Sequence, residues 1–165
     1  MEIERKFTIK KIPDNLSQYK KKEIEQGYLS TKEPVIRIRK SNDNYLITYK
    51  SRLGMAEIPG EVALSCEEVE LPLSQETYDH LKAKIDHHMI VKTRYMIPLP
   101  DGCIAELDIF HGILEGLVFV EVEFPGEEEA KKFHAPDWFG EDVSFDKRYK
   151  NNYLASIHSL EELFQ

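Results

Sequence analysis

Apolar and polar residues alternate one for one in a series of short segments along this chain. That is the period of a half-buried strand, in which successive side chains point to opposite faces. At the N-terminus Ile3, Arg5 and Phe7 alternate with Glu2, Glu4 and Lys6, and the period returns at 25–30, 35–40, 45–51, 66–71, 90–97, 104–110 and 117–124. Turn-forming residues separate the runs: 41–44 (Ser-Asn-Asp-Asn), then Pro100, Asp101 and Gly102, then Gly112 and Gly116. Between the fifth and sixth runs the period lengthens. Ser74 is placed to cap a helix reaching about Asp86, with Tyr78, Leu81 and Ile85 as its apolar stripe. The lysine-rich 15–23 reads as a short helix or loop, 127–134 and 148–158 as helices, and 52–60, with its glycines and proline, as a loop over a site.

The polar faces of these strands each carry one sign of charge. Glu2/Glu4, Arg37/Arg39, Glu68/Glu70, Lys92/Arg94, Glu106/Asp108 and Glu121/Glu123 are like-charged pairs two residues apart. A sheet with one face in water would mix the signs. Closing the strands into a barrel with the polar faces inward gives the pattern a cause, since cations and carboxylates then line different parts of one interior. About eight strands leave room inside for side chains or one small ligand. Dry, so many charges would be too costly, because the desolvation penalty runs to several kcal/mol per ion. The interior is therefore expected to be wet and to take a metal-bound polyanion. The apolar faces then point outward and need helices to cover them. The predicted fold is α+β: an eight-stranded antiparallel β-barrel with a charged interior and helices packed outside, one domain over 1–165.

Composition narrows the function. With 165 residues and 41% hydrophobic content the chain can bury a real core, and a formal charge of −8 argues against coating nucleic acid through a basic face. No run approaches the roughly 18 apolar residues of a membrane span, and the charged N-terminus lacks an apolar signal region, so a soluble, cytoplasmic protein is expected. Cys66 and Cys103 have no partnered spacing, and His87 and His88 would face opposite ways in a strand, so neither set suggests a metal or redox site.

The Glu2, Glu4, Lys6 opening resembles the ExExK signature of the CYTH superfamily, the triphosphate tunnel metalloenzymes. Further matches follow in family order: Gln26-Gly27-Tyr28-Leu29, Arg37/Arg39, Lys50, Glu68/Glu70, Lys92/Arg94, Asp108, the strand from Gly116-Leu117 to Glu121/Glu123, and 146–151. The resemblance implies an eight-stranded tunnel in which basic residues bind a triphosphate and acidic residues bind one or two Mg²⁺ or Mn²⁺ ions. Lys6, Arg37, Arg39, Lys50, Lys92 and Arg94 would hold the substrate. Glu2, Glu4, Glu121, Glu123 and Asp108 would hold metal, and Glu68, Glu70 and Glu106 would orient the cations or touch a metal through water. Lys147 and Arg148 both fall where the family brings a base to the tunnel mouth. Neighbours on a helix cannot both face it, and Arg148 is favoured. Tyr28 reads as wall packing or as a site residue.

Inorganic triphosphatases, thiamine triphosphatases, RNA triphosphatases and class IV adenylyl cyclases all belong to this family, and a chain this compact resembles the first group most. The expected reaction is hydrolysis of inorganic triphosphate to pyrophosphate and phosphate by a metal-activated water. A class IV cyclase, a hydrolase of an organic triphosphate such as thiamine triphosphate or a nucleoside triphosphate, and a non-catalytic polyphosphate-binding module stay open as alternatives. Oligomeric state is not determined by the sequence.

Overall fold

The computed structural model describes residues 1–164. Its strands are β1 (Glu2–Ile9), β2 (Lys20–Ser30), β3 (Val35–Ser41), β4 (Asn44–Ser51), β5 (Leu64–Pro72), β6 (Asp86–Pro98), β7 (Ile104–His111), β8 (Val118–Glu123) and β9 (Phe139–Asp142). They pair in the order β5-β4-β3-β2-β6-β7-β8-β1, and β1 pairs back onto β5 through Glu2↔Cys66 and Glu4↔Leu64. The result is the expected closed, antiparallel eight-stranded barrel, with β9 added outside it. Strand β1 is the seam. Its first half closes on β5, its middle pairs with β8, and its end takes β9 across a register shift between Phe7 and Ile9.

Several boundaries differ from the sequence reading. Lys20 to Lys22 belong to β2, because β6 is long enough to give each of them a partner, from Lys20↔Met96 to Lys22↔Arg94; only Leu16–Gln18 forms a helical turn. Helix α1 (Gln75–Lys82) is capped as expected, with Ser74 Oγ accepting from Thr77 N at 3.1 Å, but it ends before Asp86, where β6 begins. Helix α2 covers Glu127–Lys132. The expected 148–158 helix is instead a 3-10 turn at Lys147–Tyr149, an extended Lys150 and the four-residue helix α3 (Asn151–Leu154).

The core lies outside the barrel wall and across one end of it. Phe7, Ala105, Leu107, Val120 and Val122 point outward from β1, β7 and β8 and are covered by Phe124, Ala130, Phe133 and Phe139. Phe7 and Phe139 pack with tilted rings, 5.0 Å between centroids, and each such side chain contributes roughly 1.5–3 kcal/mol on burial. A second cluster closes the end, where Ile90, Phe110 and Phe119 meet Leu154, Ala155, Ile157 and Leu163 of the C-terminal segment. His88 fastens that segment, its Nε2 lying 3.1 Å from Leu154 O and 2.9 Å from Ile157 O. Gly27 lets the 85–89 stretch lie against β2, since a Cβ there would sit 2.6 Å from Met89 Sδ. Helical cover of the outward apolar face is incomplete: Tyr49, Val69, Leu71 and Val91 stay exposed on β4, β5 and β6. Among the described residues no helix is long and apolar enough to cross a membrane.

Candidate active site

Antiparallel register turns the like-charged pairs into a mixed lining. Lys6 stands beside Glu121, Glu4 beside Glu123, Lys50 beside Glu68 and Arg94 beside Asp108. At Lys6, Lys50 and Arg94 the repulsion along each strand is thereby offset across strands, whereas Glu4 beside Glu123 adds to it. The barrel encloses a cavity of about 730 Å³, whose lining includes Glu2, Glu4, Lys6, Arg37, Arg39 and Lys50.

One side of the cavity is a carboxylate cluster. Glu2, Glu4 and Glu123 each offer an oxygen within 4.8 Å of the others. Burial, then Glu121, raises the Glu4 carboxyl well above the usual carboxylate range, against Lys50. Burial, with Glu106, Glu2 and Glu121 nearby, pushes Glu123 up to about 7. Glu68 is likewise pushed up to about 7 by burial and by a hydrogen bond shared with Glu2. Burial would raise Glu2 too, but Glu68 and Lys50 hold it below the ordinary value. Such a cluster has more negative charge than its neighbours neutralise. Three hard oxygen donors this close together, two of them with raised pKa values, fit a divalent metal of the Mg²⁺ or Mn²⁺ kind.

The cations occupy the rest of the wall. Lys50 Nζ lies 2.5 Å from Glu2 and 3.9 Å from Glu4. Burial works against its charge, and the two carboxylates overcome it. Arg37 donates to Thr48 Oγ1 at 3.0 Å and lies 3.9 and 3.6 Å from Glu68 and Glu70. Lys6 Nζ donates to Tyr149 O at 2.6 Å, sits 4.4 Å from the Phe119 ring centroid and is 3.6 Å from Glu121. Burial alone would raise Glu121, but Lys6, Arg94 and Lys92 hold it well below the usual range. Arg39 Nε donates to the neutral amide oxygen of Gln26 at 2.9 Å.

Two predicted site residues lie within the wall. Lys92 and Asp108 are fully buried and meet at 2.7 Å, and Arg94 donates to Asp108 through Nε at 2.7 Å and Nη2 at 2.8 Å. Both Asp108 oxygens accept from cations, the geometry of a buried counter-ion, and Asp108 is not among the carboxylates that come together at the cluster. Burial would raise its carboxyl, and Arg94 and Lys92 keep it low. Lys92 is turned to Asp108 and to Asn151 Oδ1, 3.1 Å away, and does not line the cavity. Glu106 lines the cavity and takes Arg94 Nη1 at 2.6 Å. Glu70 is outside the lining, held by Thr48 and Arg37.

At the C-terminal mouth the preference for Arg148 is reversed. Asp146 caps the 3-10 turn by accepting from Arg148 N, and its carboxylate takes the guanidinium at 2.7 Å; Arg148 Nη1 also donates to Leu163 O at 3.3 Å. Arg148 is thus drawn to the outside, and Lys147 lines the cavity. Lys150, Arg52 and Lys22 also line it and were missed. Lys150 stands three residues after Lys147, a spacing that puts two side chains on one side of a helical turn and could have revealed it. Burial, with Lys50, Lys6 and Arg52 nearby, lowers its pKa. Tyr28 is both buried and at the cavity wall, its hydroxyl accepting from Gln26 Nε2 at 2.9 Å. Cys66 faces the cavity, its Sγ 4.0 Å from Glu2 Oε1, and neither cysteine is in a disulfide.

Comparison with known proteins agrees with this geometry. A protein of Nitrosomonas europaea named inorganic triphosphatase is 40% identical over 156 residues, 93% of this chain and 96% of that protein. One of the same name from Acetivibrio thermocellus is 34% identical over 131 residues, 78% of this chain and 77% of its own. A crystal structure of an inorganic triphosphatase superposes with a TM-score of 0.69 at 37% identity, over 96% of this chain and 97% of that one. The family model described as the CYTH domain matches residues 1–150, which takes in the whole barrel, β9 and the 3-10 turn. The chain belongs to the CYTH domain family.

Proposed function

We propose that this protein hydrolyses inorganic triphosphate to pyrophosphate and phosphate, using the 1–165 chain as one catalytic unit. The observation that carries this reading is the pairing, in one cavity, of a carboxylate cluster with excess negative charge and a wall of guanidinium and ammonium groups facing it. A metal-bound triphosphate supplies the missing charge of each. The inorganic triphosphatases that resemble the chain, one over 93% of it and one over 78%, support the same substrate.

Glu2, Glu4 and Glu123 would hold Mg²⁺ or Mn²⁺, with Glu121 behind them. When bound, the ion would supply Lewis-acid neutralisation of phosphoryl charge and lower the pKa of a water. Arg37, Arg39 and Lys50 would bind the phosphate oxygens and stabilise the charge that grows on them during phosphoryl transfer. Lys6 is anchored by Tyr149 O and Glu121 and so reaches the phosphates from a fixed position. Arg94, with its donors spent on Asp108 and Glu106, would act mainly by holding Glu121 and Glu106 in place. Lys147 and Lys150 would attract the polyanion at the mouth.

The test is phosphate release from triphosphate, ATP, thiamine triphosphate and pyrophosphate, each with Mg²⁺, with Mn²⁺ and with excess chelator. Triphosphate is expected to exceed the others at least tenfold in kcat/KM, with no turnover under chelator. Cyclic AMP from ATP, or tight triphosphate binding without hydrolysis, would overturn the reading. In the same assay Lys147→Ala is expected to raise KM several-fold with little change in kcat, because an exposed mouth cation acts mainly through screened attraction. Arg148→Ala should leave both within twofold. The opposite ranking would restore Arg148 to the site.

A further inference from the structure

Of the six cations expected on the tunnel wall, one is set apart by its partners. Lys6, Arg37, Lys50, Lys92 and Arg94 each lie within 4.0 Å of at least one carboxylate. Arg39 does not; its side-chain partner is an amide, Gln26, whose Oε1 accepts from Nε at 2.9 Å. Gln26 is itself fully buried, and its Nε2 donates to Tyr28 Oη at 2.9 Å. The orientation of the amide follows from its neighbours, since a flipped amide would point an NH₂ at the guanidinium N–H. Register explains the arrangement. Gln26 stands directly across from Arg39, and Tyr28 across from Arg37, so one side chain spans from a guanidinium to a phenol on the same inner face.

We infer that Gln26 is a positioning residue for substrate binding: it fixes Arg39 and Tyr28 against the cavity while leaving the Arg39 charge uncancelled for the substrate. The inference rests on the triphosphatase reading and adds to it that, among the six expected wall cations, Arg39 carries charge no carboxylate cancels, and what keeps it so. A carboxylate at position 26 would grip the guanidinium more firmly, but it would neutralise it. The amide supplies a single acceptor for Nε and leaves both terminal nitrogens available, and these present the planar fork that suits bidentate phosphate contact. Burial, with Arg37 and Arg94 close by, pushes Arg39 down to about 9, which still leaves it charged at neutral pH. A cation held among cations favours an arriving anion. By accepting from Gln26, the Tyr28 hydroxyl keeps its own proton free to donate into the cavity, where the residue forms part of the lining.

Gln26→Glu is nearly isosteric and separates geometry from charge. Triphosphate affinity of the chelator-treated protein would be measured by calorimetry, with KM and kcat in Mg²⁺ and melting temperature, for wild type, Gln26→Glu, Gln26→Ala, Arg39→Ala and the Gln26→Ala/Arg39→Ala double variant. Gln26→Glu is expected to weaken triphosphate binding at least tenfold and raise KM in parallel, at an unchanged or higher melting temperature. Gln26→Ala should lose several-fold, and the double variant should be no worse than Arg39→Ala, because a residue acting through Arg39 has nothing left to position. Wild-type affinity in Gln26→Glu, or losses that add in the double variant, would overturn the inference while leaving the triphosphatase reading intact. Wild-type protein that takes up no triphosphate under chelator and releases no phosphate from it in Mg²⁺ would overturn that reading and this inference with it.

Discussion

Glu4→Gln is expected to lower kcat/KM for metal-dependent triphosphate hydrolysis by on the order of 10²–10³, while the metal-free protein stays folded and is at least as stable as wild type. The size follows from what a bound metal supplies, several kcal/mol of charge stabilisation, at about 1.4 kcal/mol per tenfold in rate. The stability follows from the carboxylates. Burial and Glu121 raise Glu4 well above its usual range, and Glu68 and Glu123 are pushed up to about 7. A carboxyl whose folded pKa exceeds its unfolded value binds more protons folded than unfolded, so its stabilising contribution is full below the unfolded pKa, roughly 4.3, and is lost as pH rises through the folded one. Chelator-treated wild type should therefore lose stability from these groups between about pH 5 and 8. Saturating Mg²⁺ should reverse the loss, and Glu4→Gln should flatten part of it. Denaturant unfolding across that range, with and without chelator, measures all three. Near-wild-type turnover in Glu4→Gln, or metal-free stability that climbs with pH, would remove these carboxylates from the metal site.

The barrel was legible because its two demands on the sequence coincide. A strand with one face in the cavity and one on the core must alternate, and a cavity built for a charged ligand makes the inner positions charged, so Glu2/Glu4 and Arg37/Arg39 mark both the strands and their direction. Strand β9 escaped detection because its four residues, Phe139 to Asp142, pair only with the end of β1 and are too few to show a period. Parity puts Asp108 and Glu123 on inner faces alike. It says nothing of which strand stands opposite, and that is what separates them: Asp108 lies across from Arg94, and Glu123 across from Glu4. Lys147 and Arg148 were undecidable for a similar reason, since the outcome depends on Asp146 capping a 3-10 turn and drawing the guanidinium outward.

Asp108→Asn is the change expected to cost the most stability, and it distinguishes a counter-ion from a metal ligand. The carboxylate is fully buried and neutralises two cations at once, Lys92 at 2.7 Å and Arg94 through two hydrogen bonds. An amide of the same shape keeps one acceptor oxygen, loses the charge and turns an NH₂ toward N–H donors, so beyond that single oxygen Lys92 has only Asn151 and Arg94 has Glu106 and the more distant Glu121. Breaking a buried pair by removing one partner costs about 3–5 kcal/mol, which for a domain of this size lowers the melting temperature by roughly 6–20 °C. Mg²⁺ affinity at a temperature where the variant is folded should stay within a few-fold of wild type, in contrast to Glu123→Gln. A second substitution tests the cause. If the damage is an uncompensated ammonium, Lys92→Met in the Asp108→Asn background should recover part of the loss, because a well-packed apolar side chain needs no counter-charge. A double variant less stable than Asp108→Asn alone would assign the cost to lost packing. A near-wild-type melt combined with lost Mg²⁺ affinity would return Asp108 to the metal site.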